Sequence, residues 1–251
     1  MTHQLFILTG ASRGMGLAMA LQLLKPGHTL LCISRKANDT LAAQAKLAGV
    51  TLLQWTQDLA QSADISARLE QWLREQAGEG FAGVVLINNA GMIARVGPLS
   101  DADADDLRTA LSVGLEAPMQ LTAAFLRATE SWSAQRKVLN ISSGLGRKAM
   151  ASQSIYCAAK AGMDHFTRCV ALEEALKPNG AAVCSLAPGV IDTDMQIQLR
   201  GADASAFPDQ ATFAALKERG QLASPEDAAT RILAFLARPT FGAQPVADIR
   251  D

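Results

Sequence analysis

"TGASRGMG", residues 9–16, joins the apolar run "LFILT" (5–9) to helix-prone sequence over about 14–25. Its glycines fall at positions 10, 14 and 16. The first suits a tight turn off a strand, and the other two let backbone N–H groups and a helix N-terminus approach a pyrophosphate. The spacing is G-x-x-x-G-x-G, and a glycine pattern by itself says little because glycine also opens ordinary turns. Placement directly after an N-terminal apolar strand gives it meaning. The stretch reads as a dinucleotide-binding loop at the first β–α junction of an α/β unit.

The same alternation continues outward along the 251 residues. "HTLLCIS" (28–34) leads to a helix near 39–48, and "VTLLQW" (50–55) to one near 62–77. "GVVLINN" (83–89) precedes helical sequence over roughly 101–130, and "KVLNISS" (137–143) precedes a helix over 154–177. "AAVCSLA" (181–187) is followed by polar, helix-prone sequence from 192 to 220. Ser224 and Pro225 suit the N-cap and first residue of a last helix, and "QPVADI" (244–249) offers a final strand. Strands rich in Val, Ile and Leu without polar alternation read as buried on both faces. The expectation is therefore α/β: a single doubly wound Rossmann-type domain over 1–251, with a mostly parallel sheet of about seven strands and helices on both faces.

Hydrophobic residues are 49% of the chain, charged residues 19%, and the formal charge is −1. That balance argues against nucleic-acid or anionic-membrane partners. No apolar run approaches the roughly 18 residues of a membrane span, and the N-terminus does not read as a signal peptide. Cys32, Cys157, Cys169 and Cys184 form no C-x-x-C pair, and His3, His28 and His165 are far apart, so neither a metal site nor a disulfide framework is expected. Free thiols point to a cytoplasmic setting.

Cofactor choice falls to the end of the second strand. An NAD site usually places a carboxylate there, whereas this chain has Ser34, Arg35 and Lys36. A guanidinium suits a 2′-phosphate, with Arg13 of the glycine loop as a second clamp, so NADPH/NADP is the expected cofactor. The only tyrosine, Tyr156, lies four residues before Lys160, on one helical face. A nearby ammonium is expected to lower a phenol's pKa from about 10 and make it usable as an acid. Ser143 ends the fifth strand, where its hydroxyl can meet a carbonyl oxygen at the sheet's carboxyl edge.

"TGASRGMG", "NNAG" (88–91), the Ser143–Tyr156–Lys160 set and "PGVIDTDM" (188–195) together resemble the short-chain dehydrogenase/reductase family over essentially the whole chain. The stretch from "PGVIDTDMQ" to "LKERGQLASPEDAATRILAFL" is nearest in appearance to the sepiapterin and benzil reductase branch. This resemblance implies that Tyr156 protonates the substrate oxygen, that Ser143 polarises the carbonyl, and that Lys160 lowers the tyrosine's pKa and binds the nicotinamide ribose. It assigns Gly10, Ser12, Arg13, Gly14, Met15 and Gly16 to the cofactor phosphates, with Asp58 and Leu59 beside the adenine. Asn89, Ala90 and Gly91 would flank the adjoining ribose, and Pro188, Gly189, Ile191 and Thr193 the nicotinamide. One departure stands out: Gly114, in "SVGLEAP", occupies the position where the family commonly has an asparagine supporting a proton-relay water.

Loops expected at the catalytic edge carry Met92, Ile93, Val96, Leu145, Met150, Ile191 and Met195, an apolar set suited to a hydrophobic or aromatic ketone. Asp248, in "ADIRD", resembles the acidic residue that anchors the pterin in sepiapterin reductases; a structural carboxylate is the competing reading. Residues 190–220 are expected to form a substrate lid. Helices 101–130 and 154–177 resemble the pair through which family members form homodimers or homotetramers. The activity implied is NADPH-dependent reduction of a small-molecule ketone of sepiapterin or benzil type. Reduction of other carbonyls such as 3-oxoacyl thioesters, and nicotinamide sensing without turnover, are the alternatives.

Overall fold

Strand β1 (Gln4–Thr9) shows how the sheet is built: Leu5 and Ile7 join the core on one face, Phe6 and Leu8 the core on the other. In the computed structural model, which describes residues 3–76, 78 and 80–251, the same holds for β2 (His28–Ser34), β4 (Gly83–Asn88), β5 (Gln135–Ile141) and β6 (Ala182–Ala187). With β3 (Thr51–Thr56) and β7 (Val246–Asp248), they form one seven-stranded sheet in the order β3-β2-β1-β4-β5-β6-β7, every pairing parallel. The Rossmann-type expectation is met.

Helices cover both faces. Helix α1 (Gly14–Gln22) and α9 (Pro225–Leu236) pack Met19, Ile232 and Leu236 onto one side. Helix α3 (Ser62–Gln76) and α5 (Ala117–Ala128) pack Leu69, Leu121 and Phe125 onto the other. Helix boundaries follow local chemistry. Asn38 caps α2 (Asp39–Ala48) by accepting from the Leu41 N–H at 2.8 Å, and Gly49 ends it at φ +64°. Ser224 caps α9 as expected, accepting from the Asp227 N–H at 3.0 Å. The helix expected near 62–77 ends at Gln76, and residue 77 lies outside the described residues.

The continuous helix expected over roughly 101–130 is not continuous. A single 3-10 turn (Leu99–Asp101) precedes α4 (Ala104–Leu111), and a π-helical turn (Ser112–Glu116) separates α4 from α5. Gly114 is the buried residue of that widened turn. A Cβ there would lie 3.2 Å from the Cβ of Ala159 in α6 (Ser154–Ala175), so the missing side chain permits close packing beside Lys160. The segment from 192 to 220 becomes two helices, α7 (Asp194–Arg200) and α8 (Gln210–Glu218). Its ends are tied together where Ile191 bridges Ala223 and the Ala223 N–H donates to the Val190 carbonyl at 3.0 Å.

Away from the ligand edge, Arg136 of β5 and Glu174 of α6 form an ion pair at 3.2 Å with side chains 1% and 2% exposed. Arg136 also donates to Asn179 (2.6 Å) and Thr129 (3.2 Å), while Glu174 accepts from the Ala181 N–H (2.9 Å) and Lys177 (2.7 Å).

Candidate active site

Strand order reverses between β1 and β4, and the carboxyl ends of the strands at that point open the cleft that α/β sheets offer to ligands. The glycine loop leaves β1 there. Gly10 (φ +73°) and Gly14 (φ +53°) hold left-handed conformations that favour glycine. A Cβ on Gly16 would fall 2.1 Å from the Gly10 carbonyl oxygen, whereas one on Gly14 would meet nothing within 4 Å. The inner side of the loop is packed shut and its outer side is open.

Several polar groups hold the loop in that shape. Thr9 Oγ1 accepts from the N–H groups of Asn89 and Ala90 at 3.0 Å each. Asn89 Nδ2 donates to the carbonyls of Thr9 (3.0 Å) and Gly10 (3.3 Å). Ser34 Oγ accepts from the Ala11 N–H at 2.9 Å, and Asn38 Nδ2 donates to the Ser12 carbonyl at 3.0 Å. Ser34, expected beside the cofactor, is buried and engages the loop instead. Thr9 and Asn38 were not singled out in the sequence, although a Thr before the glycine and an Asn opening a helix are both visible there.

Arg35 and Lys36 are exposed just past β2, and the first acidic residue beyond them is Asp39, already inside α2. Arg13, expected as a second clamp, instead pairs with Asp194 of α7 at 2.6 Å, with side chains 68% and 63% exposed. Asp58 is exposed and its Oδ1 accepts from the Ala60 N–H at 3.0 Å, while Leu59 is buried and Met15 packs against the α1 side of the core. Pro188 and Ile191 are buried, Gly189 takes φ +86°, and Thr193 N-caps α7 without a side-chain cap bond. A Cβ on Gly91 would lie 3.8 Å from Lys160 Nζ, which places the 88–91 turn directly over that lysine.

Tyr156 and Lys160 share a face of α6, with Nζ 5.8 Å from the phenol ring centre. Lys160 is 4% exposed, and its Nζ donates to the Ile141 carbonyl at 2.7 Å. Burial pulls its pKa down to about 8, opposed by the charge of Asp164. The expectation that Lys160 lowers the Tyr156 pKa is corrected here. Burial raises the phenol, hydrogen bonding with Ser143 pulls partly against that, and the net direction is up. The lysine's ammonium is turned to a backbone carbonyl, and desolvation dominates. Ser143 itself begins the 3-10 turn Gly144–Gly146, accepting from the Leu145 N–H at 3.2 Å.

An apolar wall stands beside the phenol. Ile93, Val96, Met150 and Met195, all expected, meet Tyr156 in one cluster, joined by Leu199, Phe207, Phe213 and Leu216. The two phenylalanine rings lie 5.6 Å apart. Ser152, at φ +63°, donates to the Ala206 carbonyl at 2.6 Å and so pins the 144–153 loop to the segment above. A small neighbouring cleft is lined by Ala94, Gly97, Ser152, Ile155 and Tyr156 among others. Asp248, expected as a substrate anchor, has both oxygens taken by Arg250, at 2.7 and 2.6 Å. A substrate amine would have to displace that guanidinium.

The sequence model of the short chain dehydrogenases matches residues 4–204, and the chain belongs to that family. It is accordingly an oxidoreductase of carbonyl or alcohol groups that uses a nicotinamide cofactor. A benzil reductase ((S)-benzoin forming) of Bacillus cereus is 36% identical over 94% of each chain. A sepiapterin reductase of Meriones unguiculatus is 31% identical over 98% of this chain and 95% of its own. A short-chain dehydrogenase/reductase crystal structure from Burkholderia vietnamiensis superposes with TM-score 0.66 at 33% identity, covering 99% and 98% of the two chains. No helix among the described residues is long and apolar enough to cross a membrane.

Proposed function

We propose that this chain is an NADPH-dependent reductase of aromatic or pterin-like ketones, of benzil or sepiapterin type, with Tyr156 as general acid. The observation that carries this reading is the chain's single phenol, sharing a helix face with the buried Lys160 and backed by an apolar wall at the carboxyl edge of the sheet. Burial keeps the phenol protonated at neutral pH, which is the state a proton donor to a carbonyl oxygen requires. Ser143 holds the carbonyl by its hydroxyl, and Lys160 places a positive charge beneath the site. The names of the relatives support the substrate class.

The open face at Gly14, the backbone donors of the loop and the cationic end of β2 fit a phosphorylated dinucleotide. Such a cofactor supplies the hydride when bound. Arg35 would grip its 2′-phosphate. Arg13 would join it, because an exposed ion pair such as Arg13–Asp194 is worth only about 0–1 kcal/mol and yields to a dianion. Arg35→Asp is expected to lower kcat/KM for NADPH roughly 10- to 100-fold, the worth of one charge-assisted bond, and to raise it for NADH. Steady-state assays with both cofactors check this; an unchanged preference would assign the phosphate elsewhere.

Residues 190–220 act as a lid in this reading. Leu199 of α7 and Phe213 of α8 belong to the apolar cluster against which Tyr156 packs, so these helices would have to shift for a diaryl ketone to reach the phenol. A homodimer or homotetramer through α4–α5 and α6 is supported by exposed Met119, Leu172 and Leu176. Four free cysteines suit a cytoplasmic setting.

The test is NADPH oxidation with benzil, sepiapterin and a 3-oxoacyl thioester. Turnover of the first two is expected, falling as pH rises through about 8, where Lys160 loses its proton. Preference for the thioester would move the chain to the other carbonyl class, and binding without oxidation across the panel would favour a sensor.

A further inference from the structure

Asp164 follows Lys160 by one turn of α6 and is 1% exposed. Its Oδ1 accepts two hydroxyl hydrogen bonds, from Ser142 just past β5 and from Ser185 of β6, each at 2.6 Å. Such short contacts mark a charged acceptor. Its Oδ2 has no hydrogen-bond partner and faces Arg147 Nε at 3.4 Å. Arg147 in turn donates to the Ala247 carbonyl in β7 at 3.2 Å. A Cβ on Gly146 would stand 3.0 Å from Oδ2 and 2.9 Å from the Lys160 carbonyl, so the turn after Ser143 closes directly over this carboxylate.

We propose that Asp164 is a positioning residue of the catalytic centre: it fixes the Ser142–Ser143 strand end through two hydroxyls and is the counter-charge of the buried Lys160 ammonium. The inference rests on the catalytic reading of Ser143, Tyr156 and Lys160. A buried carboxylate with an oxygen left unbonded is costly, and a strand staple alone would need no charge. Arg147 at 3.4 Å offsets that charge from the loop side, and the buried Lys160 ammonium, one turn earlier on α6, gives it a second partner. The lysine's ammonium is buried against a neutral carbonyl, and the described charges around it are few. On its own helix stand Tyr156 and Asp164. Around Asp164, the loop after β5 contributes Arg147 at 3.4 Å and β6 contributes Cys184, whose thiol burial pushes up to about 12, while Asp248 of β7 is paired with Arg250. The π-helical turn meets α6 through Gly114 and Ala159 and brings no charge to that contact. Asp164 is the carboxylate of this set that lies one turn from Lys160 on α6, buried with it beneath the Gly146 turn, and its charge opposes the loss of the lysine's proton.

The experiment reads the titration of Lys160 Nζ by ¹⁵N-lysine NMR in the full chain, with the resonance assigned by its loss in Lys160→Ala. The parent midpoint is expected at about 8. Asp164→Asn keeps an acceptor for both serines and removes only the charge, so the midpoint should fall by about one unit or more. Arg147→Gln unmasks the carboxylate from the exposed side and should move the midpoint upward. Unchanged midpoints in both variants, with at most a change in melting temperature, would make Asp164 a structural staple and overturn the proposal. Should Asp164→Asn fail to fold, the Arg147→Gln shift decides alone. The titration needs no turnover, so it stands or falls separately from the ketone assays that test the catalytic reading.

Discussion

Tyr156→Phe is expected to reduce kcat for ketone reduction by about 10²–10⁴-fold, the usual worth of a positioned proton donor, while leaving NADPH affinity within about twofold. The phenyl ring preserves packing against the cluster of Ile93, Leu199, Phe207 and Phe213, so the loss falls on the hydroxyl alone. No second tyrosine exists to take over. Single-turnover measurements together with cofactor titration separate the two quantities. A variant that turns over like the parent would remove Tyr156 from the reaction. A variant that binds NADPH much more weakly would show that the phenol mainly shapes the cofactor site.

Arg136→Ala is expected to lower folding stability by about 3–5 kcal/mol, because it leaves Glu174 charged, buried and without its guanidinium. For a chain of this size that corresponds to a melting temperature lower by roughly 10 °C. The double variant Arg136→Met/Glu174→Gln should recover most of the loss, since no uncompensated charge remains. The sign of the pH effect follows from Glu174. Burial pushes its pKa up, but the Ala181 N–H, Lys177 and Arg136 together outweigh this and hold it below the usual carboxylate range. Its contribution is therefore complete above the unfolded value and is lost as pH falls through the lower folded value. Acid unfolding of Arg136→Ala should accordingly begin at higher pH than that of the parent. Denaturant melts between pH 3 and 7 check both expectations; a variant as stable as the parent would mean that Lys177 alone compensates Glu174.

Much of this molecule is legible in its sequence because the signals are local. The bounds of β2 and α2 match their expected ranges, since an all-apolar strand and an Asn38/Gly49 pair of helix limits act within a few residues. The placement of Tyr156 beside Lys160 follows from a four-residue spacing on one helix. The π-helical turn at Gly114 was not legible, because it depends on Ala159, 45 residues on, standing where a side chain would otherwise be. Phe207 and Phe213 carry no spacing signal linking them to Tyr156; only the fold of the 190–220 segment brings them there. Arg13 and Asp194 meet across 181 residues of sequence. Asp164 could have been noticed, as an acid one turn beyond a lysine on a helix meant to be buried.

Alone, the sequence determined the layered α/β architecture, the glycine loop and the placing of Tyr156 and Lys160 on one helical face, because periodicity, turn chemistry and helical spacing operate over neighbouring residues. What only the tertiary structure decided is how those groups ionise and what surrounds them. The direction of the Tyr156 shift, the downward pull on Lys160 and the closing of Asp248 by Arg250 all depend on burial and on contacts between distant segments. A dielectric environment belongs to a packed neighbourhood, and no short stretch of residues carries it.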